Sequence, residues 1–267
     1  MPRFALRLAY DGTDFHGWQR QEPPGLAPLR TVQGELDRAL TEVLHAPVAC
    51  QGASRTDAGV HAEAQVAAFT ADCRVPIERL HAALNARLPE DVRALAAWQV
   101  PDDFDPVRDA RSKGYRYEIA RMQPFVARLP FDRRFLHQAM HPIDVERMRI
   151  AAACMVGTHD FQAFAHAQHG RESTVRTVHA CDVGTLPDDR IMIDVSGNGF
   201  LYNMVRIIAG TLLEVGRGRI DPDAIPDIIA AGDRSRAGNT LPPQGLRLRW
   251  IHYPADRSEP GRGFDIA

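Results

Sequence analysis

The chain has 267 residues, which is enough for one large or two modest domains with a buried core. Its composition, 45% hydrophobic and 25% charged, is that of an ordinary globular protein and excludes a disordered or fibrous chain. The net charge of −2 does not point to a nucleic-acid partner, so any phosphate-binding surface must be local and, with Lys113 as the only lysine, built mainly from arginine.

Redox and membrane signals are absent from the sequence. Its four cysteines are scattered without a Cys-x-x-Cys pair, so we expect neither a disulfide framework nor a zinc site. Apolar and polar residues alternate from Phe4 to Tyr10, a strand pattern rather than the apolar core of a signal peptide. No apolar run reaches membrane-spanning length. We therefore expect a cytoplasmic protein with no membrane partner.

The first hundred residues predict the order strand, helix, strand, strand, helix, strand. The alternation and helical periodicity place these elements at 4–10, 32–45, 48–54, 63–70, 77–88 and 92–100. Thr31 is the predicted cap of the first helix.

The second half repeats this order without repeating the sequence. We predict a strand at 112–120, a helix from Pro142 to about 155, strands at 176–183 and 190–196, a helix at 200–215 with a short one after Pro222, and a strand at 246–253. This is the split βαβ order of ferredoxin-like domains. The predicted fold class is therefore α+β, with halves at 1–104 and 105–253 and a loose tail at 254–267.

One loop between the third and fourth predicted elements is chemically unusual. Residues 52–62 hold one acid, Asp57, and one nearby cation, Arg55, among mostly small side chains. In extended backbone, residues two apart project to the same side. Ala58 and Gly59 let a ligand approach the backbone closely. Such a loop can present a single carboxylate to a bulky substrate; the alternative is a polar hairpin loop with an incidental Arg-x-Asp pair.

Five further segments carry distinctive residue sets in chain order. With the loop they are YDGTDFHGWQ at 10–19, GASRTDAGVHA at 52–62, FDPVRDARSKGYRY at 104–117, GTHDFQAF at 157–164, GFLYNMVR at 199–206 and LPPQGL at 241–246. Together they resemble the motifs of the tRNA pseudouridine synthase A family, over residues 3–253. This chain departs from the usual Phe-His-Ala-Arg of that family by placing Asp105 after Phe104.

The resemblance implies an isomerase that converts uridine to pseudouridine at positions 38, 39 and 40 of the anticodon stem-loop of tRNA. The N1–C1′ bond breaks, the base turns, and C5 joins C1′, with no oxidation and no water consumed. The reaction therefore needs no cofactor or metal, and one carboxylate suffices. Asp57 would attack the ribose or the uracil, or remove the C2′ proton to give a glycal; the sequence leaves these routes open.

The same resemblance assigns roles around Asp57. Arg206 would be the cation that keeps Asp57 ionised. Arg55 would enter the space left by the extruded base or clamp its phosphate, and Tyr115 would stack on the flipped uracil.

RNA backbone contacts are predicted for a local basic cluster that includes Arg108, Arg111 and Lys113. The resemblance further implies two halves whose antiparallel sheets join side by side with the active cleft between them. It also implies a homodimer with tRNA as its partner and no protein cofactor.

Parts of the sequence are also compatible with two other functions. A metal-dependent hydrolase is suggested by His137-x-x-x-His141 and His166-x-x-His169, but Pro142 disfavours a helix through the first pair. A non-catalytic RNA-binding protein of ferredoxin-like fold is the other alternative. The aromatic pattern of such RNA-binding strands is missing from the first half, and a loop carboxylate would repel phosphate.

Overall fold

A computed structural model describes residues 1–25, 27–122, 130, 132–140, 142–166, 172–186 and 189–260. Within these ranges no helix combines the length and apolar character needed to cross a membrane. The chain divides into two compact units, one formed by Met1–Ser112 with Leu248–Ala267 and the other by Lys113–Arg247. The last strand thus belongs mainly to the first unit, whereas the sequence-based division grouped it with the second half.

The fold is a mixture of helices and strands, as predicted for the α+β class. In chain order the main elements are β1 (Arg3–Tyr10), α1 (Val32–Leu44), β2 (Gln51–Gly52), β3 (His61–Thr70), α2 (Ile77–Asn85), β4 (Val92–Val100), β5 (Ser112–Met122), β6 (His137–Met140), α3 (Val145–Ala153), β7 (Gly157–Asp160), β8 (Val175–Thr185), β9 (Ile191–Gly197), α4 (Met204–Gly216), α5 (Ile225–Ala231) and β10 (Leu246–His252).

In the first unit the strands lie in the order β4-β1-β3-β10, and β2 pairs with β3. Strand β1 is antiparallel to both of its neighbours. Helix α2 packs on β4 and on α1. The predicted first helix is confirmed, and the Thr31 hydroxyl accepts a hydrogen bond from the Gly34 N–H at 3.2 Å.

Strand β2 is shorter than the sequence predicts. Only Gln51 and Gly52 pair as strand residues, although the pattern predicts a strand over 48–54. The Asp37 carboxylate accepts a hydrogen bond from the Cys50 N–H at 2.8 Å. The Trp18 ring packs against Gly52 so closely that a Cβ on residue 52 would lie 2.3 Å from the ring. The Cys50 N–H is thus bonded to a side chain and not to a neighbouring strand.

Specific contacts hold residues 254–260 of the predicted loose tail, whereas residues 261–267 lie outside the described residues. The Tyr253 hydroxyl donates to the Pro106 carbonyl oxygen at 2.7 Å. Arg257 pairs with Asp103 and Asp109, and Glu259 pairs with Arg7 at 2.8 Å. The segment 253–259 therefore lies across residues 103–109 of its own unit. A polar composition led to the different expectation, because it does not reveal ion pairs that distant residues supply.

In the second unit, β5, β9, β8 and β7 are neighbours in that order with antiparallel pairing. Two short strands were not predicted: β6, which pairs in parallel with β5, and β7, which pairs with β8. Four residues are too few for a clear alternating pattern. The helix predicted to start near Pro142 begins at Val145, because the Asp144 carboxylate caps the N–H groups of Glu146 and Arg147.

Helix α4 forms the centre of the second unit and is buried over most of its length. A Cβ on Gly210 would lie 1.8 Å from the Asn239 carbonyl oxygen, and one on Gly238 would lie 2.5 Å from the Thr211 nitrogen. The Thr211 hydroxyl also accepts the Gly238 N–H at 2.9 Å. Glycine at 210 and 238 thus lets the segment before β10 approach the helix backbone.

Replacing Gly210 by alanine should destabilise the protein. Alanine is favoured in helices, but the added methyl group collides with a backbone carbonyl, which costs about 1–3 kcal/mol. Urea unfolding of Gly210→Ala measures the effect. Gly199→Ala is the matched control, since a Cβ there meets nothing within 4 Å. Equal stability of the two variants would contradict this account of the close approach.

Candidate active site

The loop with Asp57 connects β2 to β3 in the first unit. Asp57 is half-buried, whereas Arg55 and Ala58 are exposed. The Val60 N–H donates to the Asp57 carbonyl oxygen at 3.1 Å, and Gly59 has a φ of 79°, so the chain turns sharply just after the acid. Glycine is favoured at that backbone conformation, which accounts for one of the small residues noted in the loop.

A buried glutamine fixes the start of this loop. The Gln65 side chain on β3 is fully buried. Its Oε1 accepts the Ser54 N–H at 3.1 Å, and its Nε2 donates to the Ser54 carbonyl oxygen at 2.6 Å. Both backbone polar groups of Ser54 are therefore satisfied by one side-chain amide.

A second buried contact holds the residue before Asp57. The Tyr10 and Thr56 hydroxyls share a hydrogen bond of 2.8 Å, and both residues are buried. The Thr56 carbonyl oxygen accepts a hydrogen bond from the backbone N–H of Trp18 at 3.0 Å. The Trp18 side chain itself is buried in the core.

The first motif, residues 10–19, lies against the Asp57 loop. A Cβ on Gly12 would be 2.0 Å from the Val60 carbonyl oxygen. Gly17, at a φ of 91°, would place a Cβ 2.8 Å from the Thr56 carbonyl oxygen. The two glycines therefore permit backbone-to-backbone contact on both sides of Asp57.

The histidine that follows the loop is buried at the same contact. Nδ1 of His61 lies 3.0 Å from the Gly12 nitrogen and 3.1 Å from Oδ1 of Asp11. The Asp11 carboxylate also accepts hydrogen bonds from the Thr13 N–H and hydroxyl. His61 thus ties the loop's end to the first motif.

Arg206 lies in the first turn of α4 in the second unit. Its Nε donates to the Leu241 carbonyl oxygen at 2.7 Å, and a terminal nitrogen donates to the Asn203 side chain at 2.8 Å. Asn203 adopts a φ of 64° just before the helix. The motifs at 199–206 and 241–246 therefore cooperate in orienting one guanidinium.

The last motif also supports β5. The Tyr117 hydroxyl donates to the Pro242 carbonyl oxygen at 2.7 Å, and a Cβ on Gly245 would lie 2.6 Å from the Tyr117 ring. Burial raises the pKa of Tyr117 well above its ordinary value, although the charge of Arg206 acts in the opposite direction. Tyr117 is therefore a neutral core residue.

Tyr115 and Lys113 are both buried on β5. The Tyr115 ring meets Phe200 edge to face, with centroids 5.3 Å apart and planes at 85°. Phe200 belongs to the same motif as Arg206, so this motif contacts the predicted stacking residue as well as carrying the predicted cation. Arg116, between Tyr115 and Tyr117, makes a two-pronged ion pair with Asp194.

Arg108 and Arg111 are exposed in the segment after β4. Asp105, where this chain departs from the family pattern, accepts hydrogen bonds from the Val107 and Arg108 N–H groups at 2.8 and 3.0 Å. Partial burial acts to raise the pKa of Asp105, but these N–H groups outweigh it and the pKa lies below its usual value. Asp105 thus shapes the turn that presents Arg108.

The predicted site residues fall into two sets. Asp57 and Arg55 share one loop of the first unit, while Arg108 and Arg111 lie on another segment of that unit. Arg206, Tyr115 and Lys113 belong to the second unit.

The sequence reasoning did not identify Gln65, Tyr10 and Thr56 as supports of the loop. One signal was available: Gln65 is a polar residue inside an otherwise apolar stretch of β3, which suggests a specific buried partner.

For the metal alternative, His141 and His169 lie outside the described residues. In the part of the chain that is described, no three His, Cys, Asp or Glu side chains are grouped as a metal site would require.

Comparison with known proteins identifies the family. A family model described as tRNA pseudouridine synthase matches residues 8–107 and 151–254. The tRNA pseudouridine synthase A of Geotalea uraniireducens is 42% identical over 253 residues, covering 95% of this chain and all of that protein. The proteins of the same name from Thermoanaerobacter pseudethanolicus and Listeria monocytogenes serotype 4b are 43% and 39% identical, with the same coverage. The family predicted from the motifs is confirmed, and this chain belongs to the tRNA pseudouridine synthase family.

Proposed function

We propose that this protein isomerises uridine to pseudouridine in the anticodon stem-loop of tRNA, with Asp57 as the nucleophile or base. Family membership supports the reaction and the substrate. The observation that carries the role of Asp57 is its setting: a half-buried carboxylate on a loop whose neighbouring residues are held by hydrogen bonds that involve buried side chains. A side chain that only solvates a hairpin needs no such support.

The chemistry requires one acid and retains every atom of the base. Uracil leaves C1′ with the electrons of the N1–C1′ bond, turns, and forms the C5–C1′ bond. The proton on C5 is then removed, and N1 ends protonated. Asp57 first acts on the ribose, on the uracil or on the C2′ proton, and it is also suited to accept the C5 proton. A preorganised carboxylate contributes because it need not be reoriented during the reaction.

We assign Arg206 the role of keeping Asp57 charged during catalysis. A carboxylate enclosed by a bound nucleotide loses water, which favours its neutral form, and a nearby cation opposes that change. The two hydrogen bonds that orient the Arg206 guanidinium suit it to a fixed electrostatic role. Arg55, exposed on the same loop as Asp57, is suited to enter the space that the extruded base vacates or to hold its phosphate.

Substrate contacts are assigned to four further residues. Tyr115 would stack on the flipped uracil, for which aromatic stacking offers about 1–3 kcal/mol per base. Arg108 and Arg111 are exposed and suited to phosphate contacts, and Lys113 would supply charge from a more buried position.

The active cleft would form between two ferredoxin-like halves with sheets joined side by side. In the first unit, the strand order β4-β1-β3 with β2 beside β3 favours a ferredoxin-like topology for the first half. We further propose a cytoplasmic homodimer that binds tRNA. A monomer mass by light scattering would argue against the dimer.

The central test replaces Asp57 by asparagine. The change keeps the shape of the side chain but removes its charge and basicity, so tRNA binding should persist while pseudouridine formation is lost. Single-turnover assays on an unmodified tRNA transcript measure the chemistry, and filter binding measures affinity. Asp72→Asn, an exposed acid in the same unit, serves as the matched control and should keep full activity. Substantial turnover by the Asp57 variant would refute the assignment.

The same experiment addresses the alternative of a non-catalytic RNA-binding protein. Such a protein would form no pseudouridine with either residue at position 57, and it would bind RNA at least as well once the negative charge is gone.

Arg111→Gln should weaken tRNA binding and reduce its salt dependence. Loss of one phosphate contact lowers the slope of log affinity against log salt by about 0.7–0.9. Titrations at several salt concentrations give this slope, with the exposed Arg74→Gln as the control. An unchanged slope would remove Arg111 from the proposed RNA-binding surface.

A further inference from the structure

We propose that Gln65 is a positioning residue of the isomerase, whose buried side-chain amide binds both backbone polar groups of Ser54 where the β2–β3 ladder ends and so fixes the backbone that presents Asp57. This inference rests on the proposed role of Asp57. Gln65 lies on β3, outside the turn that carries Asp57, and it would orient the loop without touching the substrate.

The register between β2 and β3 places Ser54 next to Gln65. Gln51 pairs with Ala68 and Gly52 with Ala67 in the antiparallel ladder between β2 and β3. The Ala53 N–H then donates to the Val66 carbonyl oxygen at 2.8 Å. Continuing this register would place Ser54 opposite Gln65.

Regular backbone pairing between β2 and β3 ends before Ser54. Because Ala53 and Val66 form a hydrogen-bonded pair, the next pair, Ser54 and Gln65, would have no mutual backbone hydrogen bonds in a regular antiparallel ladder. The backbone of Gln65 is paired on its other side with Leu8 of β1. The Ser54 N–H and carbonyl group bond instead to the side chain of Gln65, at 3.1 and 2.6 Å. A side-chain amide has both an acceptor and donors, so it can satisfy a backbone N–H and a backbone carbonyl at once and hold the chain where it leaves the sheet.

The amide is also connected to the residue next to Asp57. Nε2 of Gln65 lies 3.4 Å from the Tyr10 hydroxyl, which bonds to the Thr56 hydroxyl at 2.8 Å. Tyr10 is the titratable group nearest the amide among these contacts, and Asp57 follows Thr56 directly. One buried amide thus supports the loop at Ser54 directly and at Thr56 through Tyr10. Gln65, Tyr10 and Thr56 are buried, so removing one of these side chains leaves buried partners unsatisfied.

Gln65→Glu gives a conditional test. A carboxylate can still accept the Ser54 N–H, but its second oxygen would face the Ser54 carbonyl oxygen without a proton between them. Protonation restores a donor at that position, and burial raises the pKa of such a carboxyl group. Activity relative to the wild type should therefore be low at high pH and should recover as the pH falls.

Turnover of Gln65→Glu at about pH 8 should fall by about 10- to 100-fold, the penalty for misplacing a catalytic group by about 1 Å. The affinity for tRNA should be unchanged, so the loss appears in kcat. The variant-to-wild-type ratio should rise toward one as the pH is lowered to about 6. Gln99→Glu, an exposed glutamine on β4, is the matched control and should follow the wild type at every pH. A ratio for Gln65→Glu that stays constant with pH would overturn the proposal, as would full turnover by Gln65→Met.

Hydrogen exchange on the wild-type protein provides an independent test that no folding defect can obscure. The Ser54 amide should exchange slowly because Gln65 accepts its proton, whereas the exposed Arg55 amide should exchange faster. Equal rates at these two amides would contradict the positioning role. Failure of the Asp57 assignment would be visible separately, as substantial turnover by Asp57→Asn, which no result with Gln65 can produce.

Discussion

The structure depends on one constraint: an acidic side chain must be held still in a segment that has left the β-sheet. Regular structure cannot supply that rigidity, because the ladder between β2 and β3 ends at Ala53. Buried side chains supply it instead, through the Gln65 amide at Ser54 and the Tyr10 hydroxyl at Thr56. Each such hydrogen bond adds only about 0.5–1.5 kcal/mol net, but leaving a buried partner unsatisfied costs about 1–3 kcal/mol. The loop is therefore held in place mainly by the free-energy cost of leaving these buried polar groups unsatisfied.

Contacts within and between the motifs explain why several of their residues are needed. Gly12 and Gly17 belong to the first motif because the backbones on either side of Asp57 come too close for a side chain. The motifs at 199–206 and 241–246 are linked by the hydrogen bond from Arg206 to Leu241. Several motif residues thus shape the backbone around the predicted site residues. Asp105 also has a structural role, since its carboxylate accepts the N–H groups of the turn at Val107 and Arg108.

Local signals in the sequence were sufficient for the helices and most strands. Thr31 marks the start of α1 because capping involves residues only three positions apart. The contacts of Gln65, Tyr10 and Arg257 were not predictable, because each partner is set by tertiary structure; Arg257, for example, reaches Asp109 from the end of the chain. The reaction was inferred from resemblance, since a single Arg-x-Asp pair in a loop carries too little information to specify it. The roles of Asp57, Arg206, Tyr115 and Arg55 remain predictions.

The most direct measurement of the central claim is chemical mapping of pseudouridine after incubation of the purified protein with unmodified tRNA transcripts, without added metal or nucleotide. A carboxylate-driven isomerisation predicts new pseudouridine confined to the anticodon stem-loop. A transcript that stays unmodified, or one that is modified only elsewhere, would contradict the account.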